Sequence, residues 1–230
     1  MKTTALIVAA GSSVRFGGPV PKQFMPVNGR PLLTWTVERF DRARLISDII
    51  LVVAQEQLAW VADKVVFPYK FRKSVKIIRG GATRQESVLM GLEAAPVSTR
   101  LVAIHDGARP LTAPRDIDAV VELAGREKAA ILAIRVPDTV KRVKDSYVLS
   151  TQDRNNLWLA QTPQVFDYDL VIEAHRRAAR DGVVVTDDAA LVEAGGFKVR
   201  VVEPTLANFK VTTREDLRAA EAMLKGVLDG

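Results

Sequence analysis

Ile49-Ile50-Leu51-Val52-Val53 is the stretch that decides the fold class. Five consecutive apolar residues with no polar alternation describe a strand covered on both faces, as in a parallel sheet flanked by helices. Working outward, short apolar runs bounded by Gly, Pro and Asp alternate with amphipathic stretches. Toward the N-terminus these are a strand over Ala5 to Ala10 and a helix over Leu32 to Phe40. Toward the C-terminus come a helix over Glu56 to Val65, a strand over Val75 to Ile78 and a helix over Arg84 to Ala94. A strand over Leu101 to Ile104, a helix over Ile117 to Leu123 and a strand over Ala130 to Ile134 continue the pattern. After Pro137 the grammar changes, and the charged alternation of Thr139 to Leu149 predicts an exposed hairpin, a protruding arm. Helices over Leu170 to Ala179 and Asp187 to Ala194, a strand over Lys198 to Val202 and a helix over Glu215 to Leu228 follow. No linker separates two cores, so the expectation is one α/β domain over residues 1–230 with an arm inserted at about 136–157.

Composition narrows the chemistry. A formal charge of +6 and a pI near 9.7 suit an anionic ligand. The basic residues are dispersed and aromatics make up only 6%, so no basic stripe with interleaved aromatics marks a nucleic-acid surface. Phosphorylated small molecules fit better. With no cysteine and only His105 and His175, thiol chemistry is excluded and a metal would take oxygen ligands, hence a hard divalent cation such as Mg²⁺. No apolar run approaches the roughly 20 residues of a membrane span, and no signal peptide is legible. The expected location is the cytoplasm.

Several segments carry candidate chemistry. The first strand opens into Ala10-Gly11-Ser12-Ser13-Val14-Arg15-Phe16-Gly17-Gly18, a small-residue loop at the carboxyl end of a parallel strand, where open α/β sheets bind ligands. Arg15 could add a charged fork to backbone N–H groups. Alone, this loop reads equally well as a surface turn. Pro21-Lys22-Gln23 brings a second cation nearby, against the alternative of a solvated basic loop. Gly80-Gly81-Ala82-Thr83-Arg84-Gln85-Glu86-Ser87 opens a helix; its glycines could admit a base or ribose, while Thr83 and Glu86 also fit a plain capping box. His105-Asp106-Gly107-Ala108-Arg109-Pro110 puts a carboxylate at a strand end, as a metal ligand or a turn cap. Arg154 could grip a phosphate, Thr186-Asp187-Asp188 reads first as a helix cap, and Lys210 is a surface lysine unless the fold returns it to the first loop.

Taken in order, these pieces resemble the 2-C-methyl-D-erythritol 4-phosphate cytidylyltransferases over essentially the whole chain. The matching segments are Ala9-Ala10-Gly11 with Arg15, Pro21-Lys22-Gln23, Gly80-Gly81 with Arg84 and Ser87, His105-Asp106 with Ala108-Arg109-Pro110, Asp138-Thr139-Val140-Lys141, Asp153-Arg154-Asn155, Thr162-Pro163-Gln164, Thr186-Asp187 and Lys210-Val211-Thr212. The resemblance implies a Rossmann-like nucleotidyltransferase sandwich. It implies contacts from Ala9, Ala10, Gly11, Gly81 and Ser87 to CTP, and stabilisation of the reacting α-phosphate by Arg15, Lys22 and Lys210. Asp106 would meet Mg²⁺ and substrate. Arg109, Thr186 and Lys210, with Thr139 and Arg154 on an arm that embraces a second subunit of a homodimer, would hold the polyol phosphate. Two positions depart from the family's loop: Ser13 replaces its second glycine and Phe16 its methionine. If the backbone there needs positive φ, Ser13 carries strain that glycine would not.

The implied reaction transfers CMP from CTP to methylerythritol phosphate and releases pyrophosphate. The acceptor phosphate is already an oxyanion, so no general base is needed. Two rivals remain: a ribitol-5-phosphate cytidylyltransferase, against which Thr139-Val140-Lys141 and Arg154-Asn155-Asn156-Leu157-Trp158 speak, and a non-catalytic nucleotide-binding protein of the same fold. A binding protein would have no use for cations converging on one phosphate.

Overall fold

The structure is a computed structural model that describes residues 1–11, 16, 20–205 and 207–228. In chain order its elements are β1 (Thr3–Val8), β2 (Pro26–Val27), β3 (Arg30–Pro31), α1 (Leu32–Arg42), β4 (Asp48–Val53), α2 (Leu58–Val61), β5 (Ser74–Arg79), α3 (Arg84–Glu93) and β6 (Leu101–Asp106). There follow α4 (Pro114–Glu127), β7 (Ala129–Arg135), β8 (Lys141–Lys144), β9 (Tyr147–Thr151), β10 (Trp158–Asp167), α5 (Tyr168–Asp181), α6 (Asp188–Ala194), β11 (Arg200–Val202) and α7 (Arg214–Leu228).

Seven strands form one sheet in the order β11-β7-β10-β6-β1-β4-β5. Its pairings are parallel except those of β10, which runs antiparallel to both β6 and β7. Both faces are covered. Ala5 and Ile7 of β1 and Ile49, Leu51 and Val53 of β4 pack into one core with Leu33, Val37 and Phe40 of α1 and Ile117 and Val120 of α4. The intervening Leu6, Ile50 and Val52 pack into the other, with Val88 and Leu92 of α3, Val171 of α5 and Leu191 of α6. Alternate residues of the same strand therefore enter different cores, which is why the sequence shows no polar alternation. Each Val, Leu, Ile or Phe side chain so buried contributes about 1.5–3 kcal/mol.

The strand order reverses at β1: the chain runs from β1 out to β4 and β5, then returns to the other side of β1 as β6. Such a switch point leaves a crevice beyond the carboxyl ends of the strands. A third apolar cluster closes one side of it, joining Phe16, Val27, Leu32, Trp35 and Ala108 to Val211, Ala220 and Leu224. Through that cluster α7 carries the preceding segment back to the cleft, which Lys210 lines.

Two features differ from the sequence expectation. The helix expected over Glu56 to Val65 is split into a 3₁₀ turn (Gln55–Gln57), the single α turn of α2 and a π turn (Ala62–Val66). The antiparallel strand β10 has no counterpart in the sequence expectation. Its middle, Gln161-Thr162-Pro163-Gln164, is polar and contains a proline, signals that argue against a central strand. The register shifts between Ala160 and Gln164, so Pro163 falls where the ladder is interrupted. Beyond β7, the strands β8 and β9 form a two-stranded antiparallel sheet of their own with every residue exposed.

Candidate active site

A cleft of about 440 Å³ lies at the switch point, lined by Ala9, Ala10 and Gly11 after β1, by Lys22 and Gln23, by Gly81, Arg84 and Ser87, and by Asp106 and Lys210. Gln23 fixes the first loop: its Nε2 donates to the carbonyls of Ala9 at 2.8 Å and Gly11 at 3.1 Å. Phe16 is buried in the third cluster and also lines the cleft. Arg15 and Ser13 lie outside the described residues.

The second loop shows the capping that its sequence offered, and it faces the cleft. Thr83 caps α3, its Oγ1 accepting from the Glu86 N–H at 3.1 Å, while Glu86 Oε2 accepts from the Ala82 N–H at 2.8 Å. Ser87 Oγ accepts from the Gly81 N–H at 3.1 Å and donates to the Thr83 carbonyl at 2.8 Å. The capping thus shapes the loop that faces the cleft. A Cβ on Gly80 would stand 2.7 Å from both Ala10 Cβ and Ser87 Oγ, so the two loops approach this closely only with glycine there.

Asp106, at the end of β6, is the electrostatic centre. Its Oδ1 accepts from Arg84 Nε at 3.2 Å, and its Oδ2 from Lys210 Nζ at 2.9 Å, with Arg109 Nε 3.5 Å away. Burial alone would raise the carboxyl pKa; Arg84, Lys210 and Arg109 together outweigh it and hold the group well below the usual carboxylate range. Asp106 is therefore ionised at neutral pH.

Lys210 reaches the cleft because its segment is pinned. Arg109 Nη1 donates to the Asn208 carbonyl at 2.7 Å, Asn208 Nδ2 donates to the Thr162 carbonyl at 2.9 Å, and the Val211 N–H donates to the Ala108 carbonyl at 2.9 Å. Arg109 thus acts from behind the cleft wall rather than lining it. Thr139, Arg154 and Thr186 are exposed and line no part of the cleft within one chain. The Arg154 guanidinium donates to the Pro137 carbonyl at the base of the arm.

Neither histidine lines the cleft. His105 is buried between the Arg109 carbonyl, 3.1 Å from Nε2, and Thr162 Oγ1, 3.0 Å from Nδ1. Burial pushes its pKa down to about 3, so it is a neutral structural residue. Among the described residues no group of three or more His, Asp or Glu is placed to hold a metal. Asp106 is the one carboxylate among the described lining residues. A single carboxylate fits Mg²⁺ arriving on a triphosphate, which needs only one or two carboxylates from protein.

Sequence reasoning gave no individual role to Gln23, Asn208, Gln164 or His175, and read Asp188 only as part of a helix cap, which its neighbour Asp187 supplies. Their partners lie 12 to 104 positions away, and a single sequence carries no signal for such pairings.

A family model described as 2-C-methyl-D-erythritol 4-phosphate cytidylyltransferase matches residues 3–226. The chain belongs to this family. The 2-C-methyl-D-erythritol 4-phosphate cytidylyltransferase of Caldanaerobacter subterraneus subsp. tengcongensis is 40% identical over 226 residues, 98% of this chain and 100% of that protein. That of Desulforamulus reducens is 43% identical over 222 residues, 96% and 95% of the two chains. Among solved structures, the 4-diphosphocytidyl-2C-methyl-D-erythritol synthase of Anaerococcus prevotii superposes with a TM-score of 0.85 at 32% identity, covering 97% of this chain and 96% of that one. The Thermus thermophilus cytidylyltransferase gives 0.80 at 35% identity, covering 98% and 100%. The mostly parallel sheet flanked by helices is thus the fold of the cytidylyltransferase family.

Proposed function

We propose that this chain transfers CMP from CTP to 2-C-methyl-D-erythritol 4-phosphate, forming 4-diphosphocytidyl-2-C-methyl-D-erythritol and pyrophosphate in isoprenoid precursor synthesis. The observation that carries the reading is Lys210 Nζ held 2.9 Å from Asp106 inside a cleft bounded by the Ala9-Ala10-Gly11 and Gly81 loops. Ala9, Ala10, Gly11, Gly81 and Ser87 hold the nucleotide. Lys22, Lys210 and Arg15 carry the charge of the reacting α-phosphate and departing pyrophosphate. An oxygen of the acceptor phosphate forms the new bond to the α-phosphorus in line with the breaking bond to pyrophosphate. No proton has to be removed from that oxygen, in keeping with two histidines that are buried away from the cleft. Catalysis is positioning plus charge stabilisation.

A Mg²⁺ ion bound with the triphosphate would supply charge neutralisation on the phosphate oxygens. Asp106 is the residue that would meet it, giving up an ion pair to Lys210 or Arg84 as it does so. The acceptor is held by Thr186 and Lys210 together with Thr139 and Arg154 of the partner subunit, while Arg109 sets the Lys210 segment from behind the cleft wall through the Asn208 carbonyl. A homodimer joined through the arm gives the exposed β8–β9 hairpin its occupation, with the single domain 1–230 as the folding unit and the arm at about 136–157. We place the activity in the cytoplasm, where nucleoside triphosphates are available; no helix among the described residues is long and apolar enough to cross a membrane.

The test is pyrophosphate release from each of the four nucleoside triphosphates, with methylerythritol phosphate or ribitol 5-phosphate, with and without Mg²⁺. Release is expected for CTP with methylerythritol phosphate and Mg²⁺. Release with neither acceptor would refute the reading, and release with ribitol 5-phosphate alone would move the chain to the sister activity.

A further inference from the structure

Behind Asp106 stands a second, fully buried carboxylate. Asp188, the first residue of α6, has a side chain only 2% exposed, yet it does not line the cleft. Its Oδ2 accepts from Arg84 Nη2 at 2.8 Å, while Nε of the same guanidinium donates to Asp106 Oδ1 at 3.2 Å. On its far side Asp188 Oδ1 lies 3.2 Å from Nε2 of the wholly buried His175, in contact though without hydrogen-bond alignment. His175, Asp188, Arg84 and Asp106 form one row from α5 to the cleft.

We propose that Asp188 and His175 are positioning residues for the transfer: acting through Arg84, they fix where the Asp106 carboxylate stands. The backbone carrying Asp188 is anchored to the sheet. Gln164 of β10 accepts from the N–H groups of Asp188 at 3.1 Å and Ala189 at 3.0 Å and donates to Asp187 Oδ2 at 2.8 Å. Asp188 is therefore a fixed post. The guanidinium is a rigid planar fork, so satisfying one carboxylate sets where its other nitrogens point. With Nη2 on Asp188, Nε reaches Asp106 Oδ1 alone, and Oδ2 is left to Lys210 and Arg109. Without Asp188, both arms of Arg84 could close on Asp106 and compete with Lys210, or the side chain could swing into the space of the nucleotide. Folding alone explains such a row poorly, because buried ion pairs are commonly no more stabilising than apolar residues of the same shape.

The inference rests on the proposed function only where Asp106 and Lys210 are read as acting on the transfer. Its test uses the full chain with Asp188→Asn, which keeps shape and removes charge, and Arg84→Lys, which keeps charge and removes the fork. For each, kcat, KM for both substrates, the calorimetric Kd for CTP, the melting curve and a crystal structure are measured. The expected result is a kcat lower by about tenfold or more at full folded fraction, as a displaced reacting group gives, with the CTP Kd changed less than about twofold. The Asp106 carboxylate is expected to be turned away from its wild-type position. Wild-type kcat in both variants, activity that falls only with folded fraction, or a loss confined to CTP Kd would each overturn the proposal. If Asp188→Asn does not fold, Arg84→Lys decides by the same criteria. If the wild-type chain transfers nothing to either acceptor, the functional reading has failed instead, and the crystal structures decide the positioning claim: an unmoved Asp106 overturns it.

Discussion

Lys210 Nζ and Asp106 Oδ2 meet at 2.9 Å although 104 positions separate them in the chain. Asp106 arrives at the end of a central strand, and Lys210 arrives because Asn208 and Val211 pin its segment to Thr162 and Ala108. The meeting places a cation against the one carboxylate among the described lining residues, at the mouth of two glycine-bearing loops. The lysine is about one-third exposed, so the contact adds little to stability.

Replacing that lysine should therefore separate activity from folding. Lys210→Gln is expected to lower kcat by roughly 10²-fold, the range for losing one transition-state charge contact, with a melting temperature close to wild type. Steady-state kinetics beside a thermal melt checks both. A large drop in melting temperature with unchanged kcat would assign Lys210 to structure.

Gln23 should behave in the opposite way. Its amide is the donor to two loop carbonyls and is 5% exposed, so Gln23→Glu sets a carboxylate against the same two oxygens. The expected loss is about 1–3 kcal/mol of stability together with a raised KM for CTP. Denaturant unfolding and CTP titration report it; Gln23→Glu with wild-type CTP affinity would show that the first loop needs no such brace.

His105 predicts an acid slope in stability. Its native pKa of about 3 lies below the ordinary 6.5, so below pH 6.5 the unfolded chain takes up a proton that the native state refuses. Stability from this residue is full above pH 6.5 and falls by about 1.4 kcal/mol per pH unit toward pH 3. Asp106 and Asp188 are also depressed, but from 3.8, so their contributions hold above that value and are lost below it. Urea unfolding between pH 6 and 4 should show a slope that becomes shallower by one proton in His105→Asn. An identical slope in the variant would contradict the buried neutral imidazole.

What the sequence disclosed and what it hid follow one physical division. Strands such as Ile49 to Val53 are legible because both-sided burial leaves an uninterrupted apolar run. β10 is hidden because it fills its middle with Thr162 and Gln164, whose polar groups are spent on His105, Asp106, Asp187 and the start of α6. The loops around Gly11 and Gly81 and the strand-end Asp106 were legible as candidates from residue type and place. Lys210 was visible only through resemblance, since on local grounds it is an ordinary lysine until α7 packs into the third apolar cluster. The Arg84 bridge joins residues 104 positions apart and leaves no trace in any single segment.

The most direct test of the central claim, that cations rather than a general base drive the transfer, is the kcat of Lys22→Ala measured beside its Kd for CTP. Lys22 lines the same cleft as Asp106 and Lys210. A kcat lower by roughly 10²-fold or more with CTP still bound is the predicted result. A near-wild-type kcat, or a loss accounted for entirely by weaker CTP binding, would contradict it.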